Sequence, residues 1–254
     1  ELDKLHSLPL VSGKPFHFPF DRGNNSGKYN SQNAKAQVNL SSSLSKTGGA
    51  GVQVAVLDTG ITFSHPVLKG VALAGANFVS QSLTPKDIAD TPASLAVGHG
   101  TMVSGVVALI APKAKILPVR VLNADGTGST MSIIQGIEYA IQQGAQVINM
   151  SFGTNLSSDI MDEVLEEAAD KGVILVAAAG NEASDKLLYP ASHSATLSVG
   201  SVDASNKKSV FSNYNKKLIL LAPGENIQSA FSDGAYAGGS GTSFSTPFVS
   251  ALAA

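Results

Sequence analysis

The sequence predicts an α/β fold: a doubly wound, mostly parallel sheet with helices on both faces. Three observations carry that expectation. Short, continuous apolar runs such as Val54-Ala55-Val56-Leu57 and Val173-Ile174-Leu175-Val176 are what strands covered on both faces produce, whereas a half-exposed strand would alternate. These runs alternate along the chain with longer segments of helical length, the order that leads to a parallel sheet. Finally, 254 residues, 43% hydrophobic and 14% charged, suffice for one large domain with a buried core, and no repeat, low-complexity tract or linker divides them.

Residues 1–50 are rich in Gly, Ser, Asn and Lys, with Pro9, Pro15 and Pro19 early on. They read as an N-terminal surface arm packed on a catalytic-sized domain at 51–254, with a short helix between Ala34 and Ser45. The domain begins with an apolar strand at 52–57. A strand at 71–79, a helix at 99–111 and a strand at 115–121 follow. Next come a helix from about Ser129 to Gln143, a strand at 146–151, a helix at 158–171 and a strand at 173–178. Beyond Tyr189 the helical pattern gives way to short strands near 196–202, 218–222 and 227–231, and a last helix starts near Thr242.

Composition excludes several function classes. The net charge is -2 and the basic residues occur no more densely than pairs such as Lys207-Lys208, so there is no stripe to hold nucleic acid. Without cysteine there is no disulfide framework, thiolate nucleophile or thiolate metal site. No apolar stretch reaches the roughly 18 residues that span a bilayer, so no membrane partner is expected. Histidines 6, 17 and 193 show no metal-ligand spacing, and His65 in Ser64-His65-Pro66 reads as structural.

Three residues stand out because each sits at the end of an element. Asp58 closes the first strand and precedes Thr59-Gly60. His99 lies in Gly98-His99-Gly100-Thr101 and opens a helix; Ser243 lies in Gly241-Thr242-Ser243-Phe244-Ser245-Thr246-Pro247 and opens the last one. A serine hydroxyl is a poor nucleophile until a base takes its proton, and a neutral imidazole suits that task near neutral pH. An aspartate behind the ring would orient it and stabilise the imidazolium. Taken singly, Asp58 also fits a loop cap, Ser243 a helix cap and Asn181 a turn; their joint order favours chemistry.

These runs resemble the subtilase (subtilisin-like) serine protease family. So do Val121-Leu122-Asn123-Ala124-Asp125-Gly126-Thr127-Gly128, Val147-Ile148-Asn149-Met150-Ser151-Phe152-Gly153 and Ala177-Ala178-Ala179-Gly180-Asn181, and the likeness runs from about Gly51 to the end. It implies a serine endopeptidase with Asp58, His99 and Ser243 as its triad, and Asn181 plus the Ser243 N–H as oxyanion donors. It also implies that the backbones of Gly126, Thr127 and Gly128 and of Ser151, Phe152 and Gly153 flank an extended peptide as added strands. Ala178, Gly180 and Leu188, with Glu182 and Tyr189-Pro190-Ala191, would border the pocket for the residue before the scissile bond. Leu188 stands where many relatives have glycine or serine, which leads us to expect a shortened pocket preferring medium apolar side chains. The implied partners are protein or peptide substrates and an inhibitory propeptide, the implied form a monomer, and the implied setting secreted or extracellular.

Other departures from the family shape further expectations. Met102 replaces a second histidine, a change in packing. Phe244 replaces the methionine that usually follows the nucleophile, so activity should survive peroxide better. The histidine helix runs directly into Ala108-Leu109-Ile110-Ala111-Pro112 and Val67 follows Pro66, lacking the loop and carboxylate of the family's tight calcium site, which is expected to be absent; another calcium site stays open. No cofactor is implied. The start at Glu1, without methionine or signal segment, suggests a processed product or an excised piece. The end at Ala254, eleven residues past Ser243 and within an apolar helix, suggests a domain truncated at its C-terminal end. A second reading therefore keeps the fold and the groove without turnover, as a silent or propeptide-inhibited peptide-binding protein. A third, a magnesium-dependent phosphotransferase using Asp58, leaves His99, Asn181 and the serine run unexplained.

Overall fold

The computed structural model describes residues 10–11, 20–40, 47–80, 82–89 and 94–254. In chain order the elements are strands β1 (Leu10–Val11) and β2 (Asp21–Asn24), helices α1 (Ser26–Ser31) and α2 (Ala34–Gln37), and strands β3 (Gln53–Asp58) and β4 (Ala76–Asn77). Helix α3 (His99–Ile110), strands β5 (Lys115–Arg120) and β6 (Gly128–Ser129), helix α4 (Thr130–Gln142), strand β7 (Val147–Met150), helix α5 (Asp159–Asp170) and strand β8 (Ile174–Ala178) follow. The chain continues through β9 (Thr196–Val202), β10 (Leu220–Pro223), β11 (Ile227–Ala230) and β12 (Tyr236–Gly239) to helix α6 (Thr242–Leu252).

Seven strands form the main sheet in the order β10-β9-β8-β7-β3-β5-β4, and all its pairings are parallel. β3 lies inside the sheet, between β7 and β5. From it the chain first moves outward through α3 to β5, then returns through α4 to β7 on the other side. That reversal opens a crevice at the carboxyl end of β3, the place where doubly wound sheets put their ligands. Asp58 is the last residue of β3.

The period of two along each strand divides the core into two layers. Val54 and Val56 face α3 and α6, packing with Val103, Val107, Phe244 and Phe248, all buried. Ala55 and Leu57 face the other way, toward Ile133 and Ile137 of α4 and Leu165 of α5. Because both faces are covered, the strands read as unbroken apolar runs.

Two sequence expectations need revision. The strand expected at 71–79 shrinks to Ala76–Asn77 plus a single bridge from Ala72 to Ile116. Its would-be partner carries Pro118, which has no N–H to donate, and Gly75 turns at φ 68 with its Cα pressed so close to the Pro118 carbonyl that an added Cβ would lie 1.9 Å from that oxygen. β12 was not foreseen, since Gly238-Gly239 and the following Ser240-Gly241 carry the composition of a loop. It pairs antiparallel with β11 on one side and with β2 of the arm on the other. Of the arm, the part described is docked: Tyr29 is buried and its hydroxyl donates to the Gly105 carbonyl at 2.7 Å. The helix expected from Ala34 spans Ala34–Gln37, and 41–45 lie outside the described residues.

Candidate active site

Two close approaches bring Asp58 and His99 together. Gly100 lies so near the strand end that a Cβ there would sit 2.3 Å from the Gly60 carbonyl, and Gly98, at φ 93, leaves no room for a Cβ beside the Phe231 ring (2.1 Å). Only glycine allows the start of α3 to seat against β3 in this way. His99 Nδ1 then lies 2.7 Å from Asp58 Oδ1, and the same oxygen accepts the Thr59 N–H at 2.7 Å. With Nδ1–H donating to the carboxylate, Nε2 is left as the acceptor, the form a general base needs. Burial works to lower the pKa of His99, but the charge of Asp58, its hydrogen bond and the more distant charge of Asp87 outweigh it, so the net direction is upward. Asp58 itself is buried, and among the described residues its Oδ2 has no hydrogen-bond partner.

Ser243 is the second residue of α6, which starts after Gly241 at φ 152. Pro247 lies four residues on, where its missing N–H leaves the Ser243 carbonyl without the usual helical donor. Ser151 fills the gap: its hydroxyl donates to the Ser243 carbonyl at 2.8 Å. Asn149 donates in turn to Ser151, and the Ser250 hydroxyl donates to Asn149 Oδ1 at 2.8 Å, so a buried polar chain fixes the serine helix to the end of β7. The Phe244 ring lies 5.5 Å from the His99 ring, tilted by 49°. Among the described residues no hydrogen bond joins Ser243 Oγ to His99; such bonds are often long without substrate and tighten only in its complex.

Asn181 is held by one end. Its Oδ1 accepts both the backbone N–H of Thr242, at 2.8 Å, and the Thr242 hydroxyl, at 3.0 Å. That fixes which end is oxygen and leaves Nδ2 as the donor end, with both ends near Gly241. Thr242 also accepts the Gly180 N–H at 3.2 Å, so the Gly180-Asn181 turn and the start of α6 are one unit.

The backbone runs expected to flank a peptide border the crevice. Gly126 takes φ 86, and the Thr127 N–H and hydroxyl both donate to Asp125 Oδ1, at 2.8 and 2.7 Å. The next two residues, Gly128–Ser129, already carry an antiparallel partner, Leu10–Val11 of the arm. On the opposite side, Ser151, Phe152 and Gly153 leave the end of β7. Leu188 is buried between the two glycine walls: an added Cβ would lie 2.7 Å from its Cβ at Gly153 and 2.8 Å from its Cγ at Gly180. Ala178, at the end of β8, is buried too. Phe152 also lines a separate apolar hollow with Thr130, Ile133, Leu156, Met161 and Tyr189.

Several residues at this site had no signal of their own in the sequence. Thr59, Thr242 and Asn213 look like ordinary turn residues, yet Asn213 bonds Glu182 through both its side-chain ends, at 2.8 and 2.6 Å. Asp87 is buried near Asp58, and no sequence pattern ties it to His99. His65 is structural: its Nδ1 accepts the Val67 N–H, so Nε2–H donates to the Ala235 carbonyl at 2.8 Å. His193 lies 3.5 Å from Asp162, while His6 and His17 lie outside the described residues. Among the described residues no group of three His, Asp or Glu side chains is placed to hold a metal ion, and no helix is long and apolar enough to cross a membrane.

Comparison with known proteins agrees with this geometry. Residues 49–254 match the model of the subtilase family. Subtilisin BL from Lederbergia lenta is 39% identical over 215 residues, covering 81% of this chain and 76% of that protein. Thermitase from Thermoactinomyces vulgaris is 37% identical over 215 residues, covering 81% and 74%. Among solved structures, a cold-adapted subtilisin-like serine proteinase superimposes with a TM-score of 0.73 at 34% identity, covering 80% of this chain and 74% of that one.

Proposed function

The chain belongs to the subtilase family and is a subtilisin-like serine endopeptidase acting on protein or peptide substrates; from that premise we propose the role of each residue in its reaction. His99 Nε2 takes the proton of Ser243 Oγ as the oxygen attacks the substrate carbonyl carbon. The carbonyl oxygen becomes negative and is held by Asn181 Nδ2 and the Ser243 N–H. His99 then gives its proton to the departing amine, leaving an acyl group on Ser243, and a water activated by the same imidazole releases it. Asp58 keeps the ring oriented and stabilises its charged form. The observation that carries this assignment is the 2.7 Å bond between His99 Nδ1 and Asp58 Oδ1 at the mouth of the crevice.

A fluorophosphonate probe tests it. Labelling should fall on Ser243 and disappear in Ser243→Ala and His99→Ala, with turnover down by on the order of a millionfold in either variant. Labelling elsewhere, or undiminished labelling in His99→Ala, would remove the assignment.

Specificity follows from Leu188. Lodged between Gly153 and Gly180, it takes up depth that a bulky side chain before the scissile bond would need, which supports a preference for medium apolar residues there. In Leu188→Gly, peptides with an aromatic residue at that position should gain relative to those with valine or leucine; an unchanged ranking in a peptide library counts against the pocket assignment. One observation also favours a held form of the enzyme: Leu10–Val11 occupies the strand edge at Gly128–Ser129 that an extended substrate would use. The family resemblance supports a secreted or extracellular setting.

A further inference from the structure

We propose that Asp87 is a positioning residue for the catalytic pair, a buried carboxylate that fastens the end of β3 to the start of α3 and so fixes His99 against Asp58. The inference rests on the role proposed above for His99 as the base.

Asp87 is 4% exposed, and both of its oxygens are in use. Oδ1 accepts the Thr59 hydroxyl at 3.1 Å and the Gly98 N–H at 3.0 Å; Oδ2 accepts the Thr101 N–H at 3.1 Å and the Thr101 hydroxyl at 2.6 Å. Each oxygen therefore faces an N–H that can only donate, and the 2.6 Å hydroxyl contact has the length of a bond to a charged acceptor. Burial pushes the Asp87 pKa up, against the pull of the bonds from Thr101 and Gly98.

Two of these partners flank the pair directly. Thr59 follows Asp58; its N–H donates to Asp58 Oδ1, and its hydroxyl oxygen accepts the Gly100 N–H at 3.0 Å while its proton goes to Asp87. Gly98 precedes His99 and, as the residue before α3, has no side chain with which to cap it. Asp87 supplies the missing cap from a distant loop, itself anchored where the Ile61 N–H donates to the Pro85 carbonyl and the Asp87 N–H to the Ile61 carbonyl. A carboxylate at this point also opposes the positive end of the helix, which would otherwise disfavour the imidazolium. Among the described residues the charged groups around the helix start include Asp58 on β3, Asp87, Arg120 on β5, whose guanidinium donates to the Lys86 carbonyl at 2.9 Å, and Arg22, whose guanidinium lies 5.1 Å from the centre of the Phe231 ring that abuts Gly98; α3 itself carries no charged side chain besides His99.

The test uses Asp87→Asn, the nearest variant in size, with active sites counted by fluorophosphonate titration so that unfolded molecules do not enter the rate. Per active site, kcat on a small activated ester should fall about tenfold or more, the size expected for losing a hydrogen bond to a charged group. KM should barely change, and the acidic limb of kcat/KM should move to lower pH, because a negative charge favouring the protonated ring is gone. Thr101→Val removes one of the four bonds to Asp87, together with the hydroxyl's contacts with Thr62, and keeps the charge; it should lower kcat without moving that limb, and Thr101→Ser should restore the rate. If Asp87→Asn does not fold, the threonine pair decides alone: equal rates in Thr101→Val and wild type overturn the proposal. An Asp87→Asn enzyme with wild-type rate and limb per active site overturns it too. Wild type that takes no label at Ser243 would instead remove the base assignment on which the inference rests.

Discussion

Helices α3 and α6 start alike and differ in what meets their first turn. Each follows a glycine at positive φ, Gly98 at 93° and Gly241 at 152°, and neither has a side-chain cap from that residue. At α3 the Gly98 and Thr101 N–H groups meet a carboxylate, Asp87, while the Gly100 N–H meets the Thr59 hydroxyl, and the residue placed there is a histidine whose ring rests on a second carboxylate. At α6 the Thr242 N–H meets the neutral carbonyl of Asn181, and among the described residues no acceptor takes the Ser243 N–H. The proposed reaction separates charge, creating a cation on His99 and an anion on the substrate oxygen. One helix start is thus supplied with negative charge and the other kept for it, which is how a preorganised site favours the charge-separated state over the neutral one.

The sharpest way to break that contrast is at the serine end. Asn181→Ala leaves the Ser243 N–H alone with the developing anion. We expect kcat to fall about 10²- to 10³-fold, the size found for an oxyanion donor of this kind in the family, with KM little altered because the extra negative charge exists only in the transition state. Steady-state kinetics on a peptide anilide checks this. A loss confined to KM would mean that Asn181 holds substrate in its ground state and that the two helix starts do not differ in the way described.

How much of this contrast could be read beforehand depends on the range of the interactions involved. Asp58, His99 and Ser243 were legible because each sits where an apolar run meets a glycine, a local pattern that survives in one dimension. The strands of the parallel sheet were legible for the same reason, since burial on both faces leaves no polar break. Asp87 was not: its partners Thr59, Gly98 and Thr101 lie at distant or unremarkable positions, and a single aspartate in Pro85-Lys86-Asp87-Ile88 looks like any loop residue. Leu188 is expected at a pocket only through the family resemblance, and that both Gly153 and Gly180 close on it required the backbone. β12 escaped because Gly239 is there to let Met102 and Phe244 approach, an added Cβ falling 2.6 Å from the Phe244 ring, while Gly238 lies against the Gln228 side chain, and close approach leaves the same composition as a turn.

At the histidine end the expected effect is a displacement of the pH profile. The base must be neutral, so activity falls as pH drops through the pKa of His99. Asp58 and Asp87 raise that pKa above the ordinary value of 6.5 in spite of burial, and the half-point of the acidic limb of kcat/KM should therefore lie above 6.5. A half-point at or below 6.5 would mean that burial outweighs the two carboxylates and that the negative supply to α3 is weaker than its geometry suggests.

The smallest expected effect lies where the two helices touch. Phe244, 3% exposed, is the residue after the nucleophile, and its ring rests near both the His99 ring and Phe20. A methionine at this position would become a sulfoxide in peroxide, adding a polar oxygen between the base and the serine; a phenyl ring has no sulfur to oxidise. Met102 and Met150 are buried in the core, so neither offers peroxide an open route to the site. Incubation with peroxide should leave kcat on a small ester almost unchanged in the wild type and reduce it in Phe244→Met, with mass spectrometry locating the added oxygen on residue 244. Equal resistance of the two enzymes would mean that the contact between α3 and α6 tolerates a polar group, and that the separation of charge between the two helix starts does not depend on a dry seam between them.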